Sequence, residues 1–362
     1  MIMKRIIHSV LIFLCLFCTA LPVRCYAEKV GTDKVYDAVN DVMNESDTGL
    51  EYSDAESLNL NDIIGKLKTA IADKVQKPIR DLVLILVSVF AFSVFKTINP
   101  DTDEKNGNIY NMVCVLSVMV VITPELLNLY NSVCESISKC GMFISVFVPL
   151  FSGITLATGG LTTSGAYDIL ILGVSEFIVM LSNTYLLPVL SVLTGLSFTG
   201  SITSETSVES IIKSIRKIIV WTLTVAMTLY TGFVSLKCTL TGKTDNAVTK
   251  TAKYVISGFV PIVGGAVTDA YSSVRSSFEA IHCTTGTLGI LAVVLIILPP
   301  VAEILIYRMV ICIGTGTAEM MSAEPIGKLL RSIDSGLAIA QCILICYSLI
   351  FIISSAIIIK SL

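Results

Sequence analysis

Histidine is nearly missing from this chain: its 362 residues include only His8 and His282. That excludes a multi-histidine metal site and the His-Glu-x-x-His zinc motif. A Ser-His-Asp triad would rest wholly on His282, beside Cys283, which reads as a surface or interfacial histidine in a loop. Charge is scarce too, with 15% Asp, Glu, Lys and Arg against 54% hydrophobic residues. Soluble domains carry about 25% charge, so this chain cannot coat a water-exposed globule. The net charge of −3 excludes the basic surface of a nucleic-acid binder. No Gly-x-x-x-x-Gly-Lys-Ser/Thr loop occurs, which excludes nucleotide hydrolysis by that route. Any energy source is then another subunit or an ion gradient. Beyond Cys15, Cys18 and Cys25 the cysteines form no Cys-x-x-Cys pair, so neither a metal nor a cofactor is expected. Cys134 and Cys140 are a weak disulfide candidate in an external loop, and Cys342 and Cys346 share a helix face as small apolar residues.

What is present falls into three parts: a leader over 1–27, a polar segment over 28–81 and a large apolar domain over 82–362. Lys4 and Arg5 precede an apolar run from Ile6 to Leu21, and Cys25 and Ala27 suit a small-residue cleavage site. This is a signal peptide, with an uncleaved signal anchor as the alternative. In both cases residues 28–81 face the outside of the membrane. That segment holds 12 acidic and 7 basic residues. After Asn61, apolar Ile63, Ile64, Leu67, Ala70, Ile71 and Val75 recur at helical spacing with lysines between them. A basic amphipathic helix of this kind lies on lipid or binds a partner helix.

The apolar domain reads as an all-α, polytopic membrane fold. Its candidate segments are Leu82–Ile98, Met112–Leu127, Met142–Ala157, Ile169–Phe198, Ile218–Leu236, Val255–Val267, Leu288–Ile313 and Leu337–Ile359. A span needs about 20 residues, which gives about six to eight crossings. The third and sixth segments are short and carry Gly and Pro, the signature of broken or re-entrant helices. They also resemble each other: Phe147-Val148-Pro149 precedes Gly153, and Phe259-Val260-Pro261 precedes Gly264 and Gly265. Glu209, Lys213 and Arg216 recur at the same spacing as Glu324, Lys328 and Arg331. These ordered landmarks suggest a duplicated unit over 141–236 and 254–359, as in transporter folds, with chance recurrence in a Val-rich chain as the alternative. The positive-inside rule leans only slightly to the arrangement in which every segment crosses, with the bases of 237–253 inside and those of 213–217 outside; re-entrant short segments would exchange the two.

Charged residues within apolar segments are the functional leads, since burying a charge in lipid is costly. Glu176 lies in the fourth segment; Glu303 and Arg308 lie in the seventh. Each carboxylate either faces a path or partner subunit, or belongs to a bundle-interior ion pair. Asp168, Asp269 and Glu319 stand at segment margins and read as structural. Ser182, Asn183 and Pro188 predict a kink midway along the fourth segment. Small residues, Gly153, Gly159, Gly160, Gly264, Gly265, Gly314 and Gly316, predict close helix contacts.

The leader, the acidic segment and the polytopic domain carrying Phe259-Val260-Pro261-Ile262-Val263-Gly264-Gly265-Ala266-Val267-Thr268-Asp269-Ala270 resemble the stage III sporulation protein AE family. The resemblance is closest from about Gly141 to Lys360. It implies a non-enzymatic subunit of a secretion-like channel in the mother-cell membrane around the forespore of endospore-forming bacteria, supporting forespore development. The implied partners are a separate cytoplasmic ATPase, ring-forming proteins between the two membranes, and lipid. The family defines no catalytic residues, and none is carried over. The competing reading is a stand-alone secondary transporter, or ion-coupled permease, using Glu176 or Glu303 as its coupling carboxylate.

Overall fold

The computed structural model of the chain describes residues 76–98, 104–181, 184, 187–202, 206–259 and 264–361. The leader and the acidic and amphipathic stretches up to Val75 lie outside the described residues. Among the described residues every regular element is helical: α1 (Gln76–Ile98), α2 (Glu104–Ala157), α3 (Leu161–Leu181), α4 (Leu187–Ile202), α5 (Thr206–Phe259), α6 (Gly264–Met320) and α7 (Glu324–Ser361). The all-α expectation holds.

Among the described residues five stretches are long and apolar enough to cross a membrane: Lys77–Ile98, Ile109–Ala157, Lys213–Lys237, Ser272–Met320 and Glu324–Ile357. Two of them run for 49 residues, or roughly 70 Å at helical rise, more than twice the hydrocarbon thickness of a bilayer. The second and third sequence segments are thus one helix, α2, and the linker between them is helical. Pro149 does not break α2, contrary to the sequence reading. The residues around it explain why: Phe147, Val148 and Phe151 are fully enclosed and hold the helix in register through the proline, whose own ring faces outward. Cys134 and Cys140, six residues apart on this continuous helix, rise about 9 Å and cannot bridge. Val255–Val267 is divided between the end of α5 and the start of α6, and Pro261 lies outside the described residues. The kink predicted at Ser182, Asn183 and Pro188 falls between α3 and α4, and Ser182 and Asn183 lie outside the described residues.

Each helix buries one stripe. On α1, Ile85, Val89 and Phe92 face inward at i, i+4 and i+7, while Val83, Val87, Phe90 and Val94 face out. α6 and α7 form the most extensive pair, and α2 packs on α1, α3, α4, α6 and α7. A phenylalanine ladder fills the centre. Phe143, Phe147 and Phe151 stack along α2 at 5.2 and 5.6 Å between ring centroids. Phe351 of α7 meets two of these rings edge-on, at 6.4 and 5.9 Å. α6 passes the ladder with glycines: a Cβ at Gly289 would enter the Phe147 ring, and one at Gly286 would press on Phe151 and Ile359. Gly314 similarly lies against Ile85 and Leu330, as expected of a small-residue contact, whereas Gly153 and Gly316 face open space and support none.

Two helix ends close with the same motif. At the end of α2, Gly160 N–H donates to Thr155 O and Gly159 N–H to Leu156 O, with Gly159 at φ 95°. At the end of α6, Ala323 N–H donates to Ala318 O and Ser322 N–H to Glu319 O, with Ser322 at φ 56°. Both are Schellman caps, which place the C′ residue in the left-handed region. Gly159 suits that region and Ser322 does not. Lys96 Nζ, at the end of α1, donates to Ser322 O at 3.2 Å and ties the first helix to the α6–α7 turn.

Candidate functional site

In an apolar bundle, polar side chains between helices are the exceptions that need a reason. One group joins α6 to α7. Arg308 is buried, and its Nε donates to Asp334 Oδ1 at 2.7 Å while Nη2 donates to Oδ2 at 3.3 Å. Nη1 donates to Gln341 Oε1 at 2.7 Å. The guanidinium fork thus meets a carboxylate bidentately and an amide oxygen beside it. The interior ion pair was expected of Glu176 or Glu303; the buried pair found here instead joins Arg308 to Asp334 on the next helix. Asp334 follows Arg331 and Ile333 at the start of an apolar stripe, so sequence periodicity alone did not set it apart.

A second group lies at the tight α2–α3 corner and reaches α6. Ser152 Oγ donates to Asp168 Oδ2 at 2.8 Å and is in short hydrogen-bond contact with Ser164 Oγ. One helical turn further along α2, Thr155 Oγ1 donates to Phe151 O at 2.8 Å. Its lone pair is left for His282 Nε2, at 2.9 Å. The imidazole therefore carries its proton on Nε2, and its ring stacks on Phe151 at 4.4 Å between centroids. Asp168 Oδ1 and Thr285 Oγ1 are enclosed and make no hydrogen bond.

His282 was read from the sequence as a surface or interfacial loop residue. It is instead buried within α6, because its flat ring completes the aromatic ladder and its polar edge finds Thr155. Serine, histidine and aspartate are all near this corner, but their order is not that of a hydrolase triad. Ser152 is bonded to the aspartate, and the imidazole donates to a threonine that is itself committed to the backbone. The signal that could have found the group was Ser152 and Thr155 at i, i+3 on one helix face, with Asp168 four residues after Ser164 on the next helix.

The remaining sequence candidates are scattered. Glu176 is exposed on α3, and Glu303 is half-buried on α6. Pro149 and Gly153 face outward on α2. Gly264, Gly265 and Asp269 belong to the first turns of α6, away in sequence from Arg308. Asp81 of α1 is buried and, with Glu125 of α2, faces Tyr307 of α6. Further hydroxyl pairs bridge helices: Ser175 with Tyr347 at 2.7 Å, and Tyr230 with Ser354 at 2.8 Å.

A helical membrane-type bundle joined by the buried Arg308–Asp334 pair and by hydroxyl bridges describes an architecture and leaves the protein's biological setting open. Comparison with known proteins supplies that setting. The family model for stage III sporulation protein AE matches residues 46–361. The chain belongs to that family. Stage III sporulation protein AE of Bacillus subtilis (strain 168) is 23% identical over 231 residues, covering 64% of this chain and 58% of the relative. The matched stretch therefore spans less than two thirds of the Bacillus protein. No solved structure matches the chain. Family membership places the role of this protein in sporulation, and the family match includes the Arg308–Asp334 pair and the Ser152–Asp168 corner alike.

Proposed function

We propose that this chain is a non-enzymatic integral membrane subunit of a sporulation channel, a secretion-like assembly linking mother cell and forespore and required for forespore development. It sits in the mother-cell membrane around the forespore, with its N-terminal segment on the far side from the cytoplasm. It works with a separate cytoplasmic ATPase and with ring-forming proteins between the membranes. Family membership is the observation that carries this reading. Two structural features support it. Among the described residues five stretches have the length and composition of membrane spans, and the main polar groups pair helix to helix rather than gather around a reacting atom.

The test is purification of the tagged chain, in mild detergent, from sporulating cells. The expected result is co-elution with the ATPase and ring subunits. A chain that elutes alone and by itself moves a small solute into liposomes contradicts the proposal and returns the ion-coupled permease.

A further inference from the structure

The α2–α3 corner contains a carboxyl group whose surroundings are built for one protonation state. Asp168 Oδ2 is bonded to Ser152, but Oδ1 is enclosed without a partner. Among the described residues no cation pairs with Asp168; the polar groups facing it are Ser152 of α2 and Ser164 of its own helix. On α6, His282 bonds through Nε2 to Thr155, one turn along α2 from Ser152. α5 and α7 also pack on α3, and no described charge on either forms an ion pair with Asp168.

Asp168 is half-buried, but its Oδ1 is enclosed, and ionisation would leave formal charge beside an oxygen that has no donor, which is costly. A neutral carboxyl removes the difficulty. Its proton sits on Oδ2 and is donated to Ser152 Oγ, and Ser152 in turn donates to Ser164, reversing the chain of donors with no movement of heavy atoms. Oδ1 is then an under-satisfied carbonyl, which is a tolerated state.

We propose that Asp168, with Ser152 and Ser164, is a proton-binding site that closes the α2–α3 corner, and that the carboxyl is neutral while the corner is closed. Loss of the proton drives Asp168 toward water and loosens α3 from α2. The site does not depend on the channel reading, because it is a property of the isolated chain.

Infrared spectroscopy of the full-length protein in lipid nanodiscs at neutral pH tests this. The expected spectrum contains a protonated-carboxyl C=O band that shifts on deuteration, disappears in Asp168→Asn, and moves in Ser152→Ala because the acceptor of that proton is gone. Identical carboxyl bands in the wild type and Asp168→Asn overturn the proposal. Should Asp168→Asn fail to accumulate, Ser152→Ala decides: a moved band supports the site, and an unmoved band overturns it.

Discussion

Arg308 of α6 and Asp334 of α7 form a bidentate ion pair, 2.7 Å at its shorter contact, inside the most extensive helix–helix interface of the bundle. The consequence is asymmetric. Removing one partner leaves the other charge enclosed, which typically costs about 3–5 kcal/mol, whereas replacing both by apolar residues of similar volume is often neutral. Asp334→Ala should therefore lower the thermal unfolding midpoint sharply in detergent, as followed by circular dichroism. The double substitution Arg308→Met with Asp334→Leu should recover most of the loss. Equal losses in the single and double variants would show that the pair is not the strut described here.

The approach of α6 to the phenylalanine ladder makes a second demand. A methyl group at Gly289 would occupy the space of the Phe147 ring, itself fixed between Phe143 and Phe151. Gly289→Ala is expected to destabilise by about 1–3 kcal/mol through overpacking. Adding Phe147→Leu, which shortens the obstructing side chain, should restore part of that loss. A Gly289→Ala variant as stable as the wild type would mean that α6 does not pass so close to α2.

At the α6–α7 turn a serine occupies a position that favours glycine. Ser322 sits at φ 56° as the C′ residue of a Schellman cap, where a side chain costs about 1 kcal/mol relative to glycine. Ser322→Gly should leave the fold intact and raise the unfolding midpoint slightly. The Lys96 contact survives, because it uses the backbone oxygen of Ser322. A lower midpoint in this variant would contradict the assigned turn geometry.

Much of the architecture was legible in the chain itself. Apolar run lengths, the paucity of charge and the Phe-Val-Pro-Ile-Val-Gly-Gly stretch led to an all-helical membrane-type fold and to the family. The Ser182–Pro188 region reads as a kink because Asn and Pro weaken helices locally, and Ser182 and Asn183 lie outside the described residues. Pro149 misled for the opposite reason: tertiary packing of Phe147 and Phe151 overrides a local breaker, and composition does not register that packing. His282 misled because its burial depends on a ring stacked across two helices, 131 residues from Phe151. Asp168 looked marginal because it stands at the edge of an apolar run; its partner Ser152 lies across a turn that only the fold closes. Arg308 was found by its cost in lipid, but its partner Asp334 was not, since long-range pairing leaves no periodic trace.

The apolar faces left outside the bundle are predicted to meet lipid, and α5 offers the clearest test. Between Lys213 and Lys237 this helix leaves Ile218, Trp221, Leu229, Phe233 and Leu236 exposed. Trp221, the chain's one tryptophan, is 68% exposed and stands about 12 Å along the helix from Lys213. Fluorescence of the purified protein in liposomes, quenched either by acyl-chain-brominated lipid or by aqueous iodide, reports directly on that face. Strong quenching by the brominated lipid with little effect of iodide is the predicted result. Efficient iodide quenching with no response to the brominated lipid would contradict the account.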